Sequence, residues 1–401
     1  MGKRVIVSGM AVMAGGAEDV AGFEALLRAA QPRAATPPFD WERALARLAE
    51  RRPEREKRAR RVGRTGGPAL RAALVLAATA MGEADPEQRL APDSLGVVIA
   101  GSNLQQGDAF EAYGSFRAEP AYLSPRHGYQ FLDSHVMAAV AETICARGPG
   151  LTIGGGMASG HVAAAMALDL LRAGRASAVL VVGPPADLSP AEWRALATMG
   201  ALAPTPQDCR PFDLSSKGFT PGWGGAALLL ERRKSARSRG APMLAELLGA
   251  CALTGADSSP SPDAETARRA MAGALRDAGL TPADVDCVGA HATGAPAGDL
   301  AECEAIRRLL GARAAHVPIN ALKSITGHAL QPSGLLGLAA LIVQMRGGFV
   351  HGTAGLAAPI ADDLRLLAAT TPAHPRVALS NAYGFGTIAA SVLLRGKGDG
   401  S

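Results

Sequence analysis

LTIGGGMASGHVAAAMALDLLRAGRASAVLVV, residues 151–182, carries the pattern that decides the architecture. Residues 151–153 are a short apolar run that ends in Gly154, Gly155 and Gly156. From 158 to 173 alanine and leucine dominate, as in a helix, and 176–182 is a second apolar run of strand length. Strand, glycine turn, helix and strand, with apolar strands on both sides, predict a layered α/β architecture.

The same alternation extends in both directions. Residues 4–8 read as a buried strand, 20–30 and 69–82 as helices, and 95–100 as another strand. The polar, charged stretch RRKSARSRGAP, 232–242, reads as a link, after which 243–248 is strand-like and 263–278 helical. The expected organisation is two α/β halves of unequal length, 1–240 and 241–401, with no short tandem repeat.

Composition narrows the function classes. The chain has 401 residues, 48% hydrophobic and 19% charged, which is enough for a sizeable core and excludes disorder as the main state. The longest apolar run, 333–345, is shorter than the roughly 18 residues that a bilayer span needs, so no membrane association is expected. MGKRVIVSGM at the start lacks the apolar core of a signal peptide and reads as a strand, so a cytoplasmic location is expected. The five cysteines, at 145, 209, 251, 287 and 303, form no CxxC pair, which suggests neither a disulfide framework nor a zinc site. No metal is expected.

The formal net charge is +5, carried by 35 arginines and only 6 lysines. Residues 51–64 stand apart, with eight basic and two acidic side chains. Three readings fit this run: a nucleic-acid contact, a solvated helix face, or a docking face for an acidic protein. The absence of interleaved aromatics counts against nucleic acid.

Four further segments carry the chemistry: GGGMASG (154–160), HATGAPAGD (291–299), NALKSITGH (320–328) and NAYGFGT (381–387). A glycine cluster alone marks only a tight turn, and a lone histidine is commonly a satisfied core residue. Two histidines beside small residues, a lysine and four glycine turns in one chain point instead to a shared pocket.

Taken together these segments resemble the β-ketoacyl-acyl carrier protein synthases, the ketosynthases of fatty acid and polyketide assembly. The KSxxGH motif of that family is present as Lys323, Ser324, Gly327 and His328. HGTGTPxGD is matched by His291, Ala292, Thr293, Gly294, Ala295, Pro296, Gly298 and Asp299, and the closing NSFGFGG by residues 381–386. Arg210, Pro211, Phe212 and Asp213 match the RPFD of the first half. The resemblance covers nearly the whole chain and implies the thiolase fold, five αβαβα layers built from two related halves, usually as a dimer. It also implies roles: His291 and His328 as hydrogen-bond donors to a thioester oxygen, Lys323 as the group that orders His328, and Thr293 as a contact of the phosphopantetheine arm. The amides of Met157 and Phe385 fall at the oxyanion-hole positions, and Phe385 at the acyl-pocket gate.

The departures are equally informative. The family's nucleophilic cysteine opens a buried helix whose N-terminus lowers its pKa. Met157 stands at that position, and a thioether has no proton to lose, so condensation is not expected. The second pantetheine threonine is Ala295, and two family glutamates align with Trp223 and Gly337. The stretches HGYQFLDSHVMAAVAETICARGPG (127–150) and GPPADLSPAEWRALATMGAL (183–202) look like free-standing ketosynthase-like malonyl-acyl carrier protein decarboxylases of polyketide β-branching cassettes. Those replace the cysteine, commonly with serine.

Three functions follow from the resemblance. The first is decarboxylation of malonyl-carrier protein to acetyl-carrier protein by the histidine pair, favoured because His291, His328 and Lys323 are all retained. The second is a non-catalytic partner like a chain-length factor, favoured by Trp223 and Gly337. The third is a ketosynthase fold turned to another acyl step. In each the partner is an acyl carrier protein, and the chain pairs with itself or with an active ketosynthase. The substrate arrives on the carrier's phosphopantetheine, so no cofactor of the chain's own is implied. Arg55, Lys57, Arg58, Arg60, Arg61 and Arg64 are the candidates for meeting the acidic helix of that carrier, chiefly by speeding association.

Overall fold

Residues 4–32, 39–258, 260 and 263–396 are described by the computed structural model of the chain. Its strands are β1 (Val5–Ala14), β2 (Leu95–Ala100), β3 (Gly150–Ile153), β4 (Ala178–Gly183), β5 (Gly224–Arg232) and β6 (Ala245–Thr254). They continue as β7 (Cys287–Gly289), β8 (Ile319–Asn320), β9 (Phe349–Val350), β10 (Thr371–Pro372), β11 (Val377–Gly384) and β12 (Ile388–Gly396).

The order β3-β2-β4-β5-β1 in the first half is repeated as β8-β7-β11-β12-β6 in the second. The pairings repeat as well. β2 is parallel to β3 and β4, while β5 is antiparallel to β4 and β1. β7 is parallel to β8 and β11, while β12 is antiparallel to β11 and β6. A short antiparallel contact between β1 and β6 joins the two half-sheets into one ten-stranded sheet.

Two helices, Ser159–Ala173 and Ser333–Gly347, lie between the half-sheets and pack on strands of both. Pro68–Ala84 and Asp133–Ile144 cover the outer face of the first half. Ala264–Ala278 packs on β6 and β12, with Pro296–Leu310 alongside it. This is the αβαβα layering of the thiolase fold. Ser333–Gly347 is apolar on nearly every side because nearly every side is buried, whereas Ser159–Ala173 leaves Met166 and Asp169 exposed on one face; the two helices cross at a pair of glycines. A Cβ on Gly160 would sit 2.4 Å from the Leu335 amide nitrogen, and one on Gly334 would sit 2.4 Å from His161 Nδ1.

The elements read from sequence are present, with shifted ends. The central helix begins at Ser159 after a single 3-10 turn, Gly156–Ala158, and the strand expected at 243–248 runs from Ala245 to Thr254. The stretch 232–242 is more ordered than a tether. Arg233–Ser238 is a short helix, and the guanidinium of Arg239 behind it is buried against Glu231 and Asp85. Among the described residues no helix is long and apolar enough to cross a membrane.

Candidate active site

The parallel strands β7, β8 and β11 end side by side, and the polar segments follow directly from their carboxyl ends. His291 follows β7, Lys323 follows β8, and Tyr383 and Phe385 lie at the end of β11. This is where open α/β sheets place ligands.

His291 is held at both its backbone and its ring. Its amide donates to Glu302 Oε1 at 2.9 Å, and the Ala292 amide donates to Glu302 Oε2 at 2.7 Å. The Tyr383 amide donates to His291 Nδ1 at 3.1 Å. Because Nδ1 accepts, the ring proton of the neutral imidazole is on Nε2.

The same logic holds for His328. The Leu330 amide donates to Nδ1 at 3.3 Å, and the Ser333 hydroxyl lies 3.0 Å from the same nitrogen. Its backbone is clamped by the segment before β5: His328 N donates to Thr220 O at 2.8 Å, and Gly222 N to His328 O at 2.9 Å. The two chains pass so closely that both need glycine, since a Cβ on Gly222 would meet Thr326 O at 2.4 Å and one on Gly327 the Gly222 Cα at 2.9 Å. The two imidazoles meet edge to face, centroids 5.8 Å apart at 89°, with Phe219 edge-on to His328 at 5.0 Å. Burial, with the positive charge of Lys323 second, holds both rings well below the usual histidine pKa. They are therefore neutral at physiological pH, and each presents an Nε2–H donor.

Lys323 is buried and donates to the His291 carbonyl oxygen. Desolvation lowers its pKa to about 8, with Glu302 and Asp299 opposing the shift. Glu302 and Asp299 lie three residues apart on one side of Pro296–Leu310 and hold the histidine loop in place. Asp299 accepts from the amides of Thr293 at 2.9 Å and Phe212 at 2.8 Å. Neither carboxylate's role was read from the sequence. Their spacing in the first helical turns was visible, but nothing in it signals complete burial. Ser333 and the Tyr383 amide were likewise missed, because a tautomer depends on contacts made after folding.

Met157 lies in the 3-10 turn before the central helix, half-buried against the cluster of Leu196, Phe219 and Leu330. Its backbone runs beside β11, and a Cβ on Gly384 would lie 3.3 Å from Met157 N. Among the described residues neither the Met157 amide nor the Phe385 amide donates a hydrogen bond. Phe385 is 40% exposed at the mouth of this space. Thr293 is buried, and its hydroxyl accepts from the Ala295 amide at 3.2 Å. Trp223 does not enter the site; it stacks on Phe39, centroids 5.4 Å apart, within the outer core cluster. Gly337 leaves open space on the helix beside Lys323, its Cβ direction meeting only Ser380 Oγ at 3.4 Å.

The basic run forms the end of Trp41–Arg51 and the helix Pro53–Gly63. Arg55 is not part of a surface: it is 4% exposed, and its guanidinium donates to the Asp85 carbonyl at 3.1 Å. It faces inward because the helix packs on Pro68–Ala84 and turns Arg55 and Ala59 into that contact. The remaining cations are exposed but partly paired. Lys57 binds Glu54, Arg60 binds Glu56 and Glu42, and Arg61 binds Glu142. Arg58 donates to Cys145 Sγ, and Arg64 borders an open groove with Arg43 and Arg71.

Residues 2–236 match the β-ketoacyl synthase N-terminal domain, and residues 244–357 match its C-terminal domain. The polyketide biosynthesis malonyl-ACP decarboxylase of Bacillus subtilis (strain 168) is 33% identical over 334 residues, 81% of this chain and 79% of that protein. Nodulation protein E of Rhizobium sp. (strain N33) is 34% identical over 254 residues, 63% of each chain. The structure of a type II PKS acyl-carrier protein in complex with its ketosynthase bound to the hexaketide superposes with a TM-score of 0.83 at 25% identity, covering 99% of this chain and 100% of that one. With both domains matched in order, the chain belongs to the β-ketoacyl synthase family.

Proposed function

We propose that the protein decarboxylates malonyl-acyl carrier protein to acetyl-acyl carrier protein in a polyketide β-branching cassette, and that it does not condense. The observation that carries this reading is the tautomer lock on both histidines. Tyr383 N on one ring and Leu330 N on the other leave two neutral Nε2–H donors on rings that touch edge to face. As the bond to the carboxylate breaks, its electron pair moves onto the thioester oxygen, and His291 and His328 hydrogen-bond the enolate oxygen. Carbon dioxide leaves, and the enolate carbon takes a proton from water. Donors aimed at charge that develops only in the transition state favour that step over ground-state binding. Lys323 is a positioning residue here, tying the His291 carbonyl and adding positive potential.

Met157 stands, in this reading, where the condensing cysteine would be, as an adaptable side chain filling the vacated space. The similarity to the Bacillus subtilis decarboxylase supports the reading. The carrier protein docks on the exposed cations Lys57, Arg58, Arg60, Arg61 and Arg64, and its phosphopantetheine passes Phe385 and Thr293. No cofactor of the chain's own is needed. Reversing Arg58 and Arg61 to Glu weakens carrier binding and flattens its salt dependence; unchanged binding would remove that docking face.

The chain pairs with a second copy through the face around residues 106–132. The helix Gln106–Ala118 has no buried residue, and Phe110, Tyr113, Phe116, Tyr122, Tyr129 and Phe131 are all exposed. That much open aromatic surface marks a contact, and the native mass in solution tests it.

The decisive assay follows the intact mass of malonyl-loaded carrier protein with purified enzyme, using His328→Ala as control. Conversion to the acetyl form that the control abolishes supports the proposal. An unchanged malonyl mass with a carrier shown to bind would sink it in favour of a non-catalytic partner subunit.

A further inference from the structure

Lys323 is buried with no carboxylate in direct contact among the described residues, and Glu302 and Asp299 act on its charge only at longer range. Its ammonium has three donors, and the chain accepts one of them, at the His291 carbonyl. Among the described residues it forms no ion pair. The two nearby carboxylates are committed elsewhere, Glu302 to the amides of His291 and Ala292 and to Asn381 Nδ2, Asp299 to the amides of Phe212, Thr293 and Gly294. Burial raises the pKa of both, Asp299 to about 7, while the amides that donate to them oppose that shift. Lysines are almost never fully buried unless paired.

Beside Lys323 lies an interior cavity of about 20 Å³, room for one water-sized occupant. Its lining includes Lys323, Gly337, Gln344, His351, Ser380 and Asn381, and it contains no aspartate or glutamate. Gly337 opens the space, because the helix Ser333–Gly347 offers no side chain there. His351 is neutral, its pKa lowered to about 4 by burial, so the only formal charge on the lining is that of Lys323.

We propose that the cavity between Lys323 and Gly337 binds a small monovalent anion of chloride size, which supplies the direct counterion contact that Lys323 lacks. Water would satisfy the spare donors but not the charge. The anion sits behind the histidine pair rather than in the substrate space, where it keeps Lys323 protonated. The inference goes beyond the decarboxylase reading and does not depend on it, since a catalytically silent chain with the same residues would hold the same anion.

Crystals soaked in bromide and measured at the bromine edge give the direct test. The expected result is an anomalous peak in the cavity within contact distance of Lys323 Nζ. In parallel, thermal unfolding is compared in chloride and in gluconate at equal ionic strength, gluconate being too large for the cavity. Chloride should raise the Tm by about 2 °C. Gly337→Glu, which places a carboxylate in the space, should lose both the peak and the chloride-specific shift. Lys323→Met should lose them too, and it serves if the glutamate variant does not fold. Bromide only at surface sites, or equal chloride dependence in the wild type and Lys323→Met, would overturn the proposal. So would a peak with no chloride-specific stabilisation, because the site would then fill only at soaking concentration.

Discussion

The two central helices open with the same pair of residues and put them to different use. Ser159-Gly160 begins one and Ser333-Gly334 the other, each after the edge strand of its half-sheet. Both glycines serve the crossing of the helices, and both serines fold back onto the preceding turn. Ser159 Oγ accepts from Gly155 N at 2.9 Å and donates to Gly156 O at 2.6 Å, so it fixes only backbone. Ser333 Oγ instead reaches the ring of His328. Two residues ahead of each serine stand Met157 and Gln331, one an uncharged filler, the other clamped to both backbone groups of Ser102. Of the two turns that precede these helices, only the second therefore carries a histidine of the site.

This asymmetry is broken most severely by removing a donor. His328→Ala or His291→Ala should lower the decarboxylation rate by about 100- to 1000-fold, whereas Met157→Ala, on the silent side, should change it by less than about fivefold. Single-turnover conversion of malonyl-carrier protein separates the two. Equal losses would mean that the first-half turn takes part in the chemistry.

The shared feature, the crossing, should respond in stability rather than rate. Gly160→Ala places a Cβ against backbone at 2.4 Å, which cannot yield as a side chain tip would. A cost of about 2 kcal/mol is expected, read as a lower urea midpoint.

A titration sharpens the comparison further. Lys323 is the competent group when protonated and has a pKa of about 8 in the anion-free site, so activity in gluconate buffer should be level from pH 6 to 7.5 and fall above 8, approaching tenfold per unit. No acid limb from His291 or His328 is expected in that range, because both are held neutral far below it. Stability should move the other way. Between pH 8 and the unfolded lysine value of about 10.4 the unfolded chain binds the extra proton, so unfolding free energy rises with pH. A falling rate beside rising stability is a signature that general unfolding at high pH does not give.

Much of this was legible before folding. The glycine turn between 153 and 158 and the apolar runs around it specify the layers, because buried strands and buried helices need little but small and aliphatic residues. His291, His328 and Lys323 were legible through short fixed motifs. Their tautomers were not, since Tyr383 lies 92 positions from His291 in the chain. Arg55 was misplaced for a related reason: one residue of a highly charged helix faces inward, and composition alone does not show which. Trp223, read as a loss at the site, proves to belong to the outer core, where side-chain direction decides what sequence position cannot.

The smallest expected effect concerns the residue that the symmetry sets against Ala163. Counting from Ser159 and Ser333, the alanine fifth in the first helix corresponds to Gly337 in the second. Gly337 is in an interior turn of its helix without a positive φ, and a Cβ there makes one ordinary contact, 3.4 Å from Ser380 Oγ. Glycine in such a position costs helix stability by a loss of entropy that alanine avoids, so Gly337→Ala should stabilise the fold by about 0.5–1 kcal/mol. Thermal unfolding should detect this as a modest rise in Tm. The glycine would then be kept for the space beside Lys323 and not for the backbone, which is the opposite of what holds at Gly160. A destabilised Gly337→Ala protein would mean that the two helices differ in backbone as well as in chemistry.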